Sequence, residues 1–358
     1  MAAAVYANSL ANGFALDDLP LVRDNPEIRR LSGATLAAAR PYWPQGEGSG
    51  LYRPLVIASY ALNYAVTGAG PAGFHAVNVL LHAAASVLAW FALRRVGVHY
   101  GTALGGALLF AVHPVHAEAV ANVVGRAEIL AAIGVLSAWL LHRRDRLVAA
   151  AACYLAALLS KETALLAPLL FVLDDRLRGE RPGTRWPKYA PYAAALLVAL
   201  GLRLVVLGGW RGAEDVAFLD NPTAFGPAPA RIATALWVQA RYAGLWLWPR
   251  PLSSDYSYDA VPSVASPGDV RLWIGLALAT AAGIALWRGV RRTPPLALGA
   301  ATWILFALPS SNLVFPAGTL MAERLTYLPS LGAALLTAHA VAGARAAKRA
   351  VVAALALA

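Results

Sequence analysis

Two adjacent carboxylates, Asp17 and Asp18, open the stretch DDLPLVRDNPEI just after an apolar stub. Neighbouring acids on an irregular segment point in different directions and need not share a proton. One can accept a proton from a hydroxyl while the other positions a partner or binds a cation. The same pair also suits a solvated turn or a helix cap. Farther along, HPVHAEAVANVVGRAEIL (113–130) carries His113, His116, Glu118, Arg126 and Glu128. His-x-x-His with a nearby acid suggests a divalent metal, but Pro114 breaks the i,i+4 helical geometry of a zinc-type HExxH. The expectation is therefore no metal and no cofactor. Arg126 with Glu128 reads either as an ion pair or as an anion ligand with its orienting carboxylate. In LLSKET, Lys161 beside Glu162 is either a pair that holds a turn or a cation for a lipid-linked phosphate. FLDNPTAF contributes Asp220 in a turn. In MAERLTYLPSLG, Glu323 precedes Arg324, whose planar fork matches a phosphate.

Gathered on one face beside lipid, an acid and the three cations Arg126, Lys161 and Arg324 suit transfer from a lipid phosphate. The cations would stabilise the departing phosphate, and Asp18 or Asp17 would take the acceptor's proton. A phosphate leaves readily, so no general acid is needed. A transporter or lipid flippase would use the same charges to line a pathway, which should continue through both leaflets. A non-catalytic membrane scaffold would tolerate neutral replacements of both aspartates.

The elements that would position these residues are those of a membrane protein. The chain has 358 residues, 59% hydrophobic and only 14% charged, with mean hydropathy +0.57; soluble domains average about 25% charged. Net charge is +11, but the bases cluster in short loops between apolar runs and no RNA-binding signature is present. Membrane topology explains that pattern better than nucleic acid does. The single cysteine, Cys153, can form no intrachain disulfide. Residues 1–16 lack the charged and long apolar regions of a signal peptide and read as the last turns of a helix. Apolar runs at 74–93, 100–113, 127–142, 147–159, 163–173, 189–208, 271–287, 295–308 and 327–343, with another starting near 350, predict an all-α polytopic protein of about 10–11 transmembrane helices. The whole of 1–358 reads as one compact membrane domain.

Alternating the runs places loops 94–95, 143–146, 174–188, 288–292 and 345–349 on one side, with 16 of the 30 Lys and Arg residues and 4 of the 19 acids. The positive-inside rule makes that side cytoplasmic. Asp17 and Asp18 then face the periplasm, the exterior or a lumen, with the longer connections 14–73 and 209–270. Residues 147–173 fit two half-length helices with Ser160, Lys161 and Glu162 at a tip below the outer surface. A single crossing would put the basic loop holding Arg176, Arg178, Arg181, Arg185 and Lys188 outside. The runs 54–66 and 231–249 suit interfacial helices on the acidic face.

In order along the chain, NSLANGFALDD, YRPL, GFHAVNVLLH, FAVHPVHAEAVANVVGRAEILAA, LLSKET, DNPTAF, LSSDYSYDAVP and MAERLTYLPSLG resemble the transmembrane and tetratricopeptide-repeat (TMTC) O-mannosyltransferases, and more broadly the membrane glycosyltransferases of the GT-C fold. The resemblance runs from about residue 6 to 336. It implies a GT-C-like bundle, a catalytic acidic pair at Asp17 and Asp18, and a polyprenyl- or dolichyl-phosphate donor, usually of mannose. It also implies transfer with inversion to a protein Ser or Thr hydroxyl, without a metal. An Arg and an acid follow the third span in related enzymes, and Arg126 and Glu128 match them. The expected membrane is the plasma (inner) membrane of a bacterium, with an external site, or the endoplasmic reticulum of a eukaryote. The family's tetratricopeptide repeats are absent from these residues and the first helix is reduced to a stub, which reads as a fragment or a misplaced start.

Overall fold

The computed structural model describes residues 1–43, 50–180, 183, 186–209 and 216–357, and the side chains up to residue 345. Among the described residues the chain is helical and holds no strand. The helices are α1 (Ala2–Val5), α2 (Gly33–Leu36), α3 (Pro54–Thr67), α4 (Pro71–Leu93), α5 (Tyr100–Val112), α6 (Ala117–Val120), α7 (Arg126–His142), α8 (Leu147–Leu158), α9 (Ala167–Leu177), α10 (Ala190–Leu207), α11 (Ala228–Leu247), α12 (Val270–Arg292), α13 (Pro294–Ala307) and α14 (Pro329–Leu357). A proline stands at the first or second position of α3, α4, α9, α10, α11 and α13. There its missing N–H costs no hydrogen bond and its fixed φ favours the first turn.

Among the described residues, four helical segments are long and apolar enough to cross a bilayer: Pro71–Leu93, Val123–His142, Trp186–Leu207 and Val270–Arg292. A fifth arises if Tyr100–Val112 and Pro114–Val120, bent by 47° between them, form one broken span. Leu147–Leu158 and Pro294–Ser310 are apolar but shorter. These numbers fall below the ten or eleven spans expected, because several apolar runs become half-length or bent helices. The run expected to start afresh near 350 does not do so: α14 continues unbroken from Pro329 to Leu357, since RAAKR and its alanines are strong helix formers.

The helices pack pairwise: α7 on α8, α13 on α14, α12 on α13, α11 on α12, and α4 on both α5 and α7. Small residues permit the closest crossings. A Cβ on Gly332 of α14 would stand 2.3 Å from the Gly299 carbonyl oxygen of α13, and one on Gly134 of α7 would stand 2.8 Å from the Cys153 carbonyl oxygen of α8. The main core joins Ala85, Phe110, Val135, Tyr154, Phe171, Leu298 and Leu331 with their neighbours. A satellite cluster lies beneath the first long connection, where Leu21, Val22 and Ile28 pack on Val56, Tyr60, Phe74 and Val123. That cluster fixes the chain on either side of Asp17 and Asp18.

The 147–173 segment forms the expected hairpin. α8 ends at Leu158, a short 3₁₀ turn spans Glu162–Leu166, and α9 returns. At the far end of α9, Asp174 accepts two hydrogen bonds from Arg143, at 2.6 and 2.7 Å, and one from Trp139 at 2.9 Å. Arg143 also donates to the Arg95 carbonyl. Lys188 lies 3.0–3.2 Å from Asp145, Asp175 and Glu180. Three of the segments expected at the cytoplasm, 94–95, 143–146 and 174–188, therefore meet at one end of the bundle; Arg181 and Arg185 lie outside the described residues.

Candidate functional site

The opposite end is built from four loops and the tip of the α8–α9 hairpin. Asp18 is 1% exposed. One of its carboxylate oxygens accepts the Val124 N–H at 2.9 Å and the other accepts the Ala15 N–H at 3.3 Å. Burial pushes its pKa up, and the backbone N–H groups pull it back only in part. Asp17, half-buried one residue earlier, has no side-chain hydrogen bond among the described residues. Its charge acts on Arg324, Asp220 and Tyr42. The two acids thus do different things: Asp18 ties the loop to the start of α7, while Asp17 faces the loops that carry Arg324 and Asp220.

Arg324 pairs with Glu118, which accepts from its guanidinium and, at 2.8 Å, from its backbone N–H. Burial works against the charge of Arg324, but Glu118 and then Asp17 raise its pKa above the ordinary value. Its neighbour Glu323 turns the other way and is buried, accepting the Ser253 N–H at 2.7 Å and the Tyr256 hydroxyl at 2.6 Å. Burial lifts the Glu323 pKa despite those donors. Asp220 is exposed; partial burial and then the carboxylates of Asp255 and Asp17 raise its pKa. Asn221 anchors that loop by donating to Asn312 at 2.7 Å and to the Ala317 carbonyl at 2.8 Å.

Lys161 Nζ lies 2.5 Å from Glu128 Oε1, an ion pair angled poorly for a hydrogen bond. Glu162 accepts from Arg53 at 2.9 and 3.3 Å, and Arg203 stands 3.5 Å away on its other oxygen. Arg126 is 0% exposed and spends all five N–H groups on neutral acceptors. Nε donates to Asn78 at 2.7 Å, one terminal nitrogen to Asn63 at 2.7 Å and the Phe74 carbonyl at 3.1 Å, and the other to Ser59 at 3.3 and 3.4 Å. Asn78 in turn donates to the Asn122 and Val123 carbonyls at 3.0 and 3.2 Å. Arg126 thereby organises the turn whose next N–H holds Asp18.

His113 and His116 are packed into the core, whereas His75 lies near the acidic pair, 3.4 Å from the Gly13 carbonyl. His113 stacks on Trp246 at 4.1 Å and contacts its carbonyl at 2.9 Å, and His116 contacts Ser330 at 2.7 Å. Among the described residues, no three His, Cys, Asp or Glu side chains converge on one point. Of the residues singled out from the sequence, Asp17, Glu118, Asp220 and Arg324 share one neighbourhood, linked by charge, and Lys161 with Glu128 and Glu162 forms the adjoining tip. Arg53, Arg203, Asn63, Asn78 and Tyr256 were not foreseen. A signal for Arg203 existed: it is the lone ionisable residue in the apolar run GLRLVVL.

The family model "Protein O-mannosyl-transferase TMTC, DUF1736" matches residues 215–283, from the Asp220 loop into α12. The Caenorhabditis elegans protein O-mannosyl-transferase F38B6.6 is 30% identical over 350 residues, covering 93% of this chain and 49% of the worm protein. The chain is a relative of the TMTC protein O-mannosyl-transferases. TMTC3 of Mus musculus is 30% identical over 94% of this chain and 41% of its own length, and Drosophila melanogaster Tmtc2 is 34% identical over 76% and 31%. The chain spans about half or less of the length of these TMTC proteins. Among solved structures, ArnT from Cupriavidus metallidurans bound to undecaprenyl phosphate aligns with 94% of this chain and 76% of its own, at 16% identity and a TM-score of 0.37.

Proposed function

We propose that this chain is an inverting membrane glycosyltransferase, moving a sugar, usually mannose in its relatives' chemistry, from a polyprenyl-phosphate donor to a protein Ser or Thr hydroxyl. The observation that carries the assignment of roles is the division of labour between the adjacent acids. Asp18 is buried and committed to Val124 and Ala15, whereas Asp17 is partly open, unbonded and within the field of Arg324. Asp17 is the general base and Asp18 its positioning residue. The acceptor oxygen attacks the anomeric carbon from the face opposite the phosphate, and its proton passes to Asp17. The carbon–oxygen bond to the phosphate breaks, and that electron pair leaves on the phosphate oxygen, so the anomeric configuration inverts. Arg324 and Lys161 stabilise the departing charge. Arg126, its donors already satisfied, holds the Asn122–Arg126 turn in place.

The names of the TMTC relatives support the reaction class and the protein acceptor. The active face is non-cytoplasmic by the basic-loop asymmetry, in the plasma membrane of a bacterium or the endoplasmic reticulum of a eukaryote. A transport pathway is disfavoured because the carboxylates and cations gather at the two ends, and the core between them is apolar apart from the buried His82 and His116.

The test uses the protein in nanodiscs with radiolabelled polyprenyl-phosphate-mannose and Ser/Thr peptides. Asp17→Asn should lower turnover by at least about 100-fold, the usual scale for a lost general base, while Asp18→Asn, which retains an acceptor for Val124 N–H, keeps turnover within about tenfold. Wild-type turnover by Asp17→Asn would overturn the assignment.

A further inference from the structure

Glu162, at the hairpin tip, is held between two arginines that come from different sides. Arg53, at the start of α3, makes the good contacts to one oxygen. The other oxygen, Oε1, is enclosed yet accepts no hydrogen bond, and Arg203 Nη1 stands off at 3.5 Å. Arg203 donates to the Gly50 carbonyl at 2.5 Å, and its remaining N–H groups have no hydrogen-bond partner among the described residues. The charge balance is uneven. Lys161 with Glu128 and Arg324 with Glu118 cancel as pairs, but Glu162 faces two cations alone. Around Glu162 itself one positive charge is in surplus, and a surplus cation at membrane depth is costly unless an anion joins it.

The direction in which this surplus opens identifies the anion. Arg203 sits one turn before the outer end of α10, a helix long and apolar enough to span the membrane. Its neighbours Leu202, Leu204 and Val205 are exposed and so face lipid. Arg203 itself is 23% exposed in its side chain, at the edge between the lipid-facing and inner sides of the helix. A ligand reaching it travels in the bilayer plane.

We propose that Arg203 and Arg53 form a lateral capture site for the phosphate head of a lipid-linked ligand, with Glu162 as the resident counter-ion that the phosphate displaces. The proposal rests on the glycosyltransferase reading only for naming that ligand as the sugar donor. Phosphate oxygens would take the free N–H groups of Arg203 and the bonds that Arg53 now gives to Glu162, and Lys161 next to the tip would receive the head as it moves inward. The bidentate fork of arginine suits a phosphate better than an ammonium does.

The experiment measures binding of radiolabelled polyprenyl phosphate, without sugar, to the protein in nanodiscs. Arg203→Gln and Arg53→Gln should each weaken binding about tenfold, the scale of one lost charge-assisted hydrogen bond. Arg203→Lys should recover part of that loss, and Arg291→Gln at the other end should change nothing. Glu162→Gln is the decisive variant, because removal of a competing counter-ion should tighten binding. A merely structural Glu162 would instead lower binding together with the unfolding temperature, and that result would overturn the proposal. So would unchanged binding in Arg203→Gln, or full competition by inorganic phosphate or the neutral polyprenol. No sugar transfer is read, so failure of this experiment leaves the Asp17 test standing, and the converse also holds.

Discussion

Replacing Arg126 by lysine tests whether this residue is scaffold or ligand. The guanidinium has five donors and uses all of them, on Asn78, Asn63, Phe74 and twice on Ser59. Tyr60 and Phe74 lie against its plane at 4.8 and 5.7 Å. An ammonium offers three donors from a single point, so at least two acceptors lose their partner in a site with no exposure. Hydrogen bonds to a charged group contribute about 1.5–3 kcal/mol each, whereas polar contacts within membrane proteins average about 0.6 kcal/mol. Two losses between those scales predict a destabilisation of about 3 kcal/mol for Arg126→Lys. Arg126→Gln should cost as much, because it removes the charge but also orphans the two asparagine oxygens. Position adds to the strain: a cation in the first turn of α7 opposes the helix dipole by about 0.3–1 kcal/mol, partly offset by Glu128 in the same turn. The assay is equilibrium unfolding in mixed detergent micelles, with Asn78→Ala completing a double-mutant cycle. A coupling above about 1 kcal/mol is expected for groups 2.7 Å apart. If both Arg126 variants unfold within about 0.5 kcal/mol of wild type, yet lose polyprenyl-phosphate binding, the scaffold assignment is refuted and Arg126 is a donor ligand.

Two further outcomes follow from the geometry. Because burial raises the Asp18 pKa above its unfolded value, the folded state holds that proton more tightly. The associated stability is complete below the unfolded carboxylate pKa and is lost as pH rises through the folded one; Asp18→Asn should therefore show a flatter unfolding temperature from pH 4 upward, and parallel profiles would contradict this. Gly332→Ala should lower stability by about 1–3 kcal/mol, since the new methyl would meet the Gly299 carbonyl at 2.3 Å and force α13 and α14 apart; an unchanged melting temperature would count against that crossing.

Features set by local pattern or by long-range charge were readable before the fold was known. The hairpin tip at Lys161 and Glu162 followed from asking which side of the membrane the basic 174–188 loop should occupy, and its return path is fixed by Arg143 on Asp174. The end of α14 was misplaced because the alanine-rich RAAKR segment interrupts hydropathy without interrupting helix propensity. Roles within the site were less legible. Asp17 and Asp18 are identical in type and adjacent, and what separates them is the Val124 N–H, 106 residues away, together with the Ala15 N–H. Arg126 looked like a free cation because its partners, Asn63 and Asn78, are neutral amides inside apolar runs and carry no charge pattern. Arg53 was hidden for the opposite reason: it is ordinary by itself, and although Arg203 stands out as the lone ionisable residue of an apolar run, only Glu162 between the two reveals an uneven balance.

The contact between Glu118 and Arg324 spans 206 residues, and this has a consequence for biogenesis. At about 5–20 residues per second, a ribosome needs roughly 10–40 s to deliver Arg324 after Glu118 has emerged. Throughout that interval Glu118 is a carboxylate at the membrane boundary without its counter-ion, and Asp17 lacks the cation whose charge it shares. The chain must therefore enter the bilayer with its outer end unfinished and electrically exposed. An insertase or chaperone that shields acidic groups on that side would act during this window, before the last helices arrive to close the site.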